Sequence, residues 1–283
     1  MSQQVKMVVC DLDGTLLFDP KRITKRTKKT IRQLRKQGIL FGICSGRSAL
    51  ALQQKVKTWG IENDVDFVLG FNGAMFWDPK TGVVESRLEL KPEDIQPIMD
   101  ACQGYQFTFG EYQGNDMIVT AINFLTKAMG GRNELGMKQV TPQELIRPAL
   151  KFMAVGMPWT LNRWWKSDRK ETLTSARVFR SGPFLFEFVN RDLSKLEGIK
   201  TVCQKYGVQL DEVVTFGNDN NDVEMIAGTI GVAMSNANQA VKEVSSYITT
   251  SNFTDGVAKF IEANILNPNA KPLVAKNIPS SKS

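Results

Sequence analysis

Two aspartates stand two residues apart in Asp11-Leu12-Asp13-Gly14-Thr15, directly after the valine-rich run from Val5 to Cys10. A carboxylate in a loop behind a buried strand can attack phosphorus and form an aspartyl-phosphate. A second carboxyl nearby can protonate the leaving oxygen and later activate water. Asp11 suits the first task and Asp13 the second. Gly14 lets the backbone turn tightly near a ligand, and Thr15 can orient the Asp13 region. Taken alone, the same residues also describe an Asx-rich turn.

Three further polar segments could join them. Ser45-Gly46-Arg47 follows a second apolar run, and a hydroxyl with amides at a helix start suits a phosphate oxygen. Its plainer reading is a helix cap. Lys195, beside Ser194, could neutralise charge on phosphate and on Asp11, although a lone lysine is more often solvated. Gly217-Asn218-Asp219-Asn220-Asn221-Asp222 offers hard oxygen donors. Magnesium takes one or two carboxylates together with waters and substrate oxygens. Asp11, the Asp13 carbonyl and one group of this cluster fit that scheme; a polar turn is the alternative.

Composition narrows the chemistry. The 283 residues include no histidine, which removes Ser-His and Cys-His nucleophile systems and histidine general bases. The four cysteines, Cys10, Cys44, Cys102 and Cys203, form no CxxC pair, so buried free thiols are expected rather than a zinc site. Apolar runs are too short to cross a bilayer, and the first residues lack a secretory pattern. A cytoplasmic protein without membrane partners is the expectation. The net charge is +7, and from Lys21 to Lys57 no acid interrupts the bases. We read this stretch as the solvated faces of two amphipathic helices, not as a nucleic-acid surface.

These loops need a frame. Val5–Cys10, Ile39–Cys44 and Asp66–Leu69 read as strands, with helices over Lys25–Gln37 and from Ser45 to about Trp59 between them. Alternating strands and helices predict right-handed crossovers and a parallel sheet. The pattern returns with a helix over Leu193–Tyr206, strands at Val213–Phe216 and Ile230–Met234, and a closing helix over Thr254–Ile265. Between them lies an α+β insertion, with a helical piece at Pro142–Ile146 among others. The expected class is α/β, a doubly wound parallel-sheet (Rossmann-like) core with an inserted α+β domain. The boundaries are 1–78 and 191–266 for the core, 79–190 for the insertion, and 267–283 for a disordered tail. Ligands of open parallel sheets bind at the carboxyl ends of the strands, where the Asp11–Thr15, Ser45–Arg47 and Gly217–Asp222 loops fall, while Ser194-Lys195 opens a helix.

Taken together and in this order, the motifs resemble those of the haloacid dehalogenase superfamily, specifically its Cof-type phosphatases. Asp11–Leu16 looks like the first motif, Ser45-Gly46-Arg47 the second, Lys195 the third and Gly217–Asp222 the fourth. Asn72-Gly73-Ala74, the Gly231–Ala237 segment, and Asn252 with Asp255-Gly256-Val257 resemble further family segments. The resemblance implies Asp11 as nucleophile and Asp13 as general acid/base. It implies Mg2+ held by Asp11, Asp13 and position 218. It places phosphate on the Leu12 amide, Ser45, Gly46, Lys195 and Asn221. Asp222 would order Lys195 or a metal-bound water, with Thr15 and Asp219 in support, and the insertion would act as a cap that selects the substrate.

Two departures stand out: Leu196 replaces the usual glycine after Lys195, and the fourth motif begins Gly217-Asn218 where Gly-Asp is usual. Either metal binding is weakened or neighbouring Asp219 partly compensates through the local field. The expected activity is magnesium-dependent hydrolysis of small phosphorylated metabolites by a monomer or weak homodimer, without nucleic acid. A phosphosugar mutase and a catalytically weak binding protein are the alternatives.

Overall fold

The structure is a computed structural model that describes residues 5–19, 22–114, 116–133 and 136–276. It divides into two compact units, Met1–Glu85 with Ser194–Ser283, and Ser86–Leu193.

The first unit is built on strands β1 (Met7–Cys10), β2 (Leu40–Cys44), β3 (Phe67–Gly70), β4 (Met75–Trp77) and β5 (Val84–Ser86), with helices α1 (Lys25–Lys36) and α2 (Ala49–Trp59) between the first three. The second unit interrupts the chain with helix α3 (Pro92–Ala101), strands β6 (Thr108–Gln113) and β7 (Asp116–Val119), helix α4 (Phe124–Asn133), strands β8 (Gly136–Gln139) and β9 (Phe152–Val155), helix α5 (Pro158–Trp165), and strands β10 (Ala176–Arg180) and β11 (Leu185–Asn190). The first unit resumes with helix α6 (Lys195–Tyr206), strand β12 (Val213–Gly217), helix α7 (Val223–Ala227), strand β13 (Ile230–Met234), helix α8 (Gln239–Val244), strand β14 (Tyr247–Thr249) and helix α9 (Gly256–Asn264).

The large sheet runs β14-β13-β12-β1-β2-β3-β4-β5. Pairing is parallel from β14 through β3, and β4 turns antiparallel on β3. Strands β1, β12 and β13 are buried at every position, as expected of parallel strands covered on both faces. The chain order places β12 beside β1, with Cys10 in register with both Phe216 and Ile43. The carboxyl ends of β1, β2 and β12 therefore lie on one edge.

Helix α1 shows how the basic run is accommodated. Thr24 caps it by accepting the Thr27 amide, and Thr27, Thr30, Ile31 and Leu34 form its buried side. The bases fill the rest; Arg26 pairs with Glu262 at 2.5 Å and Arg32 with Asp64 at 3.0 Å.

The second unit has its own sheet, β10-β11-β9-β6-β7-β8, antiparallel except for the β7–β8 crossover. Phe152, Phe186, Phe188 and Trp164 sit fully buried in its core. The Trp164 indole donates to the Ala101 carbonyl at 2.9 Å, satisfying its one polar atom.

Several sequence expectations are corrected. The insertion starts at Ser86 and not at residue 79, because Val84–Ser86 extends the core sheet as β5. It ends at Leu193, since Ser194 already caps α6. The helix expected over Pro142–Ile146 is a single 3₁₀ turn, Gln143–Leu145. The tail is not frayed over residues 267–276: Leu273 is buried, the Val274 amide donates to the Tyr247 hydroxyl, and Lys276 donates to Ser246 and to the Glu243 carbonyl. A single apolar anchor with a few hydrogen bonds suffices to hold an irregular segment. Residues 277–283 lie outside the described residues.

Candidate active site

Asp11 is the first residue past β1. Its amide donates to the Phe216 carbonyl at 2.9 Å, which continues the β1–β12 ladder one residue into the loop. From there the chain makes one wide turn, in which the Leu17 amide donates to the Leu12 carbonyl at 3.0 Å. Such i→i−5 turns are rare and cluster at functional sites. Gly14 makes this turn possible. Its φ is +81°, and a Cβ there would fall 2.7 Å from the Asn218 side chain.

Lys195 reaches this loop from the first turn of α6. Its ammonium is completely buried and donates at 2.6 Å to both Asp11 Oδ1 and Asp222 Oδ1. Burial alone would depress its pKa, but the two carboxylates outweigh burial and hold the ammonium above its ordinary range. Asp11 is pushed up to about 7 by burial first and the Asp222 charge second, while Lys195 and the Leu12 amide work against them. The other Asp222 oxygen accepts the amides of Asn218 and Asp219 at 2.8 and 3.0 Å. Asp222 thus ties the β12 loop to Lys195.

What carries Lys195 to this position is a contact between two glycines. A Cβ on Gly198 would lie 2.7 Å from the Gly73 Cα, and one on Gly73 would lie 2.9 Å from the Ser194 carbonyl. Helix α6 therefore rests directly on the loop after β3. That loop is strained: Phe71 and Asn72 both have positive φ, +48° and +57°. Asn72 is buried there, and its side-chain oxygen accepts from Asn221 at 3.1 Å.

Ser45 follows β2 and is buried. Its amide donates to Leu69 and its carbonyl accepts from Asn72, so the main chain is committed to the neighbouring strand. The helix begins later than expected, at Ala49, with Ser48 as its cap. Ser45 and Gly46 thus occupy a loop ahead of the helix. The Ser45 hydroxyl accepts the Arg47 amide at 3.2 Å.

In the sequence Arg47 stands out only as one of the bases and as part of its motif. It grips Asp13 with two bonds, Nε to Oδ2 at 2.8 Å and Nη2 to Oδ1 at 2.7 Å. Two asparagines with no role assigned from sequence also buttress the loop. Asn236 donates to the Gly14 carbonyl and Asn252 to the Leu17 carbonyl, each at 2.9 Å. Their positions, just past β13 and just before α9, were the available signal.

The oxygens around Asn218 test the expected metal. The inward atom of its amide lies 2.9 Å from the Asp13 carbonyl, 3.1 Å from Asp11 Oδ2 and 2.7 Å from the Thr15 hydroxyl; the hydrogen bonds favour nitrogen there, and turning the amide over puts its oxygen at the same place. Magnesium is octahedral with bonds of 2.0–2.1 Å, so adjacent donors lie about 3.0 Å apart. A carboxylate, a main-chain carbonyl and an amide oxygen at this spacing fit one such ion. Among the described residues, no cluster of three or more Cys, Asp or Glu side chains could hold a metal, so this group would do so only with its carbonyl and amide oxygens. Asp219 does not join the group; its carboxylate caps the Asn220 amide at 2.7 Å and accepts from Asn238 at 3.3 Å.

The structure thus assembles Asp11, Leu12, Asp13, Thr15, Lys195, Asn218 and Asp222 around one loop. Ser45, Gly46 and Asn221 stand beside it on the loops after β2 and β12, with Asn72 linked to Asn221.

Known proteins similar to this chain in sequence and fold are numerous. The chain is 26% identical over 264 residues to the 5-amino-6-(5-phospho-D-ribitylamino)uracil phosphatase YcsE of Bacillus subtilis, covering 93% of this chain and 96% of that protein. It is 27% identical over 283 residues to the phosphatase YitU of the same organism, named for the same substrate, covering 93% and 98%. A solved haloacid dehalogenase-like hydrolase from Bacteroides thetaiotaomicron superposes with a TM-score of 0.79 at 25% identity, over 92% of this chain and 99% of that one. The family of haloacid dehalogenase-like hydrolases matches residues 8–261, nearly the whole of the described chain, and the protein belongs to it.

Proposed function

We propose that the protein is a magnesium-dependent phosphatase that hydrolyses small phosphate monoesters, sugar phosphates among them, through an aspartyl-phosphate (an acyl phosphate) on Asp11. The observation that carries this reading is Lys195, fully buried and 2.6 Å from Asp11. A buried ammonium beside a carboxylate at a strand end suits a dianionic substrate drawn onto a carboxylate nucleophile.

In this reading an Asp11 oxygen forms a bond to phosphorus as the bond to the leaving oxygen breaks. Asp13, held as a carboxylate by its two bonds to Arg47, takes up a proton from solvent and delivers it to that leaving oxygen. Water then attacks the aspartyl-phosphate. Asp13 takes the proton of that water, and inorganic phosphate departs with Asp11 regenerated. Lys195 offsets the negative charge on the phosphoryl oxygens, and Ser45, Gly46 and Asn221 hold them in line. Asp11, the Asp13 carbonyl and Asn218 would hold magnesium, which would supply charge to stabilise the same oxygens. The substrate for which YcsE and YitU are named, a phosphorylated ribityl compound, supports a phosphorylated polyol or sugar as the substrate class.

The test is phosphate release from p-nitrophenyl phosphate and a panel of phosphate esters, with chelator and with added magnesium. Turnover requires magnesium, and Asp11→Asn abolishes it, a loss of roughly 10⁴-fold or more in kcat. Absence of turnover across the whole panel contradicts the proposal. Interconversion of hexose 1- and 6-phosphates without free phosphate would identify a mutase in its place.

A further inference from the structure

We propose that Asn218 makes magnesium binding conditional on phosphate, because its amide closes the metal site when neither ligand is present. The inference rests on the phosphatase reading above and goes beyond it.

The first observation is the amide itself. With its oxygen inward, Asn218 faces the Asp13 carbonyl at 2.9 Å and Asp11 Oδ2 at 3.1 Å, both acceptors, while its nitrogen faces only donors. That orientation sets an oxygen against two acceptors, which only a cation between them could make favourable, so without one the network selects the other. Turned over, the nitrogen occupies the same place and donates to Asp13 O, Asp11 Oδ2 and Thr15 Oγ1 at 2.9, 3.1 and 2.7 Å. The two orientations of an amide have nearly the same shape, so the exchange needs no repacking. The Thr15 hydroxyl serves both, donating to the oxygen in one and accepting from the nitrogen in the other. An aspartate at 218 has no such second state.

The second observation is the charge around the site. Asp11, Asp13 and Asp222 carry three negative charges; Lys195 and Arg47 carry two positive charges against them. One negative charge remains. Asp219 lies exposed and is turned to Asn220 and Asn238, so it adds no carboxylate to the donor group. A divalent cation therefore leaves the site with one excess positive charge, beside a fully buried lysine. A phosphate dianion removes that excess and returns the site to one negative charge. An aspartate at 218 would make the metal-loaded site neutral on its own.

Metal and phosphate are therefore expected to bind as a pair. The free protein holds the amide nitrogen inward and binds magnesium weakly. Phosphate supplies the charge that favours the cation, and the amide turns its oxygen to it. By linkage, magnesium strengthens phosphate binding by the same factor.

The experiment is calorimetric titration of the full chain with magnesium, without and with saturating inorganic phosphate, for the natural protein and for Asn218→Asp. In the natural protein, phosphate tightens magnesium binding by about tenfold or more, within the usual range of coupling between sites. Asn218→Asp binds magnesium about tenfold more tightly than the natural protein when phosphate is absent, and its coupling shrinks. Equal magnesium affinity with and without phosphate in the natural protein overturns the inference, whether or not the variant folds. Undiminished coupling in a folded Asn218→Asp protein overturns the role of the amide. Magnesium-dependent turnover of p-nitrophenyl phosphate alongside either result leaves the phosphatase reading standing. Loss of both magnesium binding and turnover removes the two together.

Discussion

Lys195 is held by opposing demands. Its burial is complete, and only the two carboxylates at 2.6 Å keep a full charge tolerable there. Replacing it with methionine keeps the volume and removes the cation. Asp11 and Asp222 are then left buried together without a counter-charge. Removing one partner of a buried pair costs about 3–5 kcal/mol. Asp11 can relieve part of this by taking up a proton, since burial and Asp222 already push its pKa up to about 7. Lys195→Met should lower kcat by roughly 10²–10³-fold, the scale of losing one charge-stabilising donor. It should also lower stability measured by urea unfolding. Activity within tenfold of the natural protein would show that Lys195 only fills the core.

At the scale of elements, the site depends on how closely α6 rests on the loop after β3. In an open helix, Gly→Ala is stabilising by about 1 kcal/mol. At Gly198 the added Cβ would meet the Gly73 backbone at 2.7 Å, where neither chain can yield cheaply. Overpacking costs about 1–3 kcal/mol, so the sign reverses. Gly198→Ala should lower the melting temperature and reduce activity through Lys195. An unchanged or raised melting temperature would mean that α6 can lift away at no cost.

A second pair of elements, α1 and α9, meets through Arg26 and Glu262, with Thr30 donating to Glu262 at 2.8 Å. The Arg26 hydrogen bond holds the Glu262 pKa below its ordinary value. A depressed carboxyl pKa stabilises the fold above the unfolded value of about 4.3 and loses that contribution as pH falls through the lower folded value. Because the pair is largely exposed, it is worth roughly 0.5 kcal/mol or less. The stability difference between the natural protein and Glu262→Gln, followed by urea unfolding from pH 7 to pH 3, should be small and should vanish in acid. A gap that widens in acid would contradict the assignment.

Across the whole molecule, all four cysteines are buried and free. Burial pushes the Cys44 and Cys102 thiols up to about 12 and Cys203 up to about 11, and raises Cys10 as well. Thiolate is the reactive form, so the native protein should be inert to a disulfide reagent at pH 8, and all four thiols should react in denaturant. Fast labelling of even one native thiol would show that its strand opens. These thiols were readable as core residues because their neighbours are apolar. The motif loops were equally readable, since each directly follows an apolar strand. Less legible were features fixed by a neighbour's hydrogen bonds. Ser45 could not be seen to be committed to Leu69 and Asn72, which moves the α2 cap to Ser48. Nor could Leu273 be seen to anchor the irregular segment after residue 266.

The sequence by itself determined the class of fold, the succession of polar loops behind apolar strands, and the donor types available in a chain without histidine. Those properties are local: they follow from periodicity, turn residues and side-chain chemistry within a few positions. Tertiary structure alone decided the pairings. It buried Lys195 between carboxylates of which Asp11 is 184 residues away, and set Arg47 on Asp13. It brought Thr15 to Asn218 across 203 residues and turned Asp219 away from the oxygens it was expected to support. These partners meet because β12 lies beside β1 in the sheet, and that order is set by packing of the whole chain, which no local pattern records.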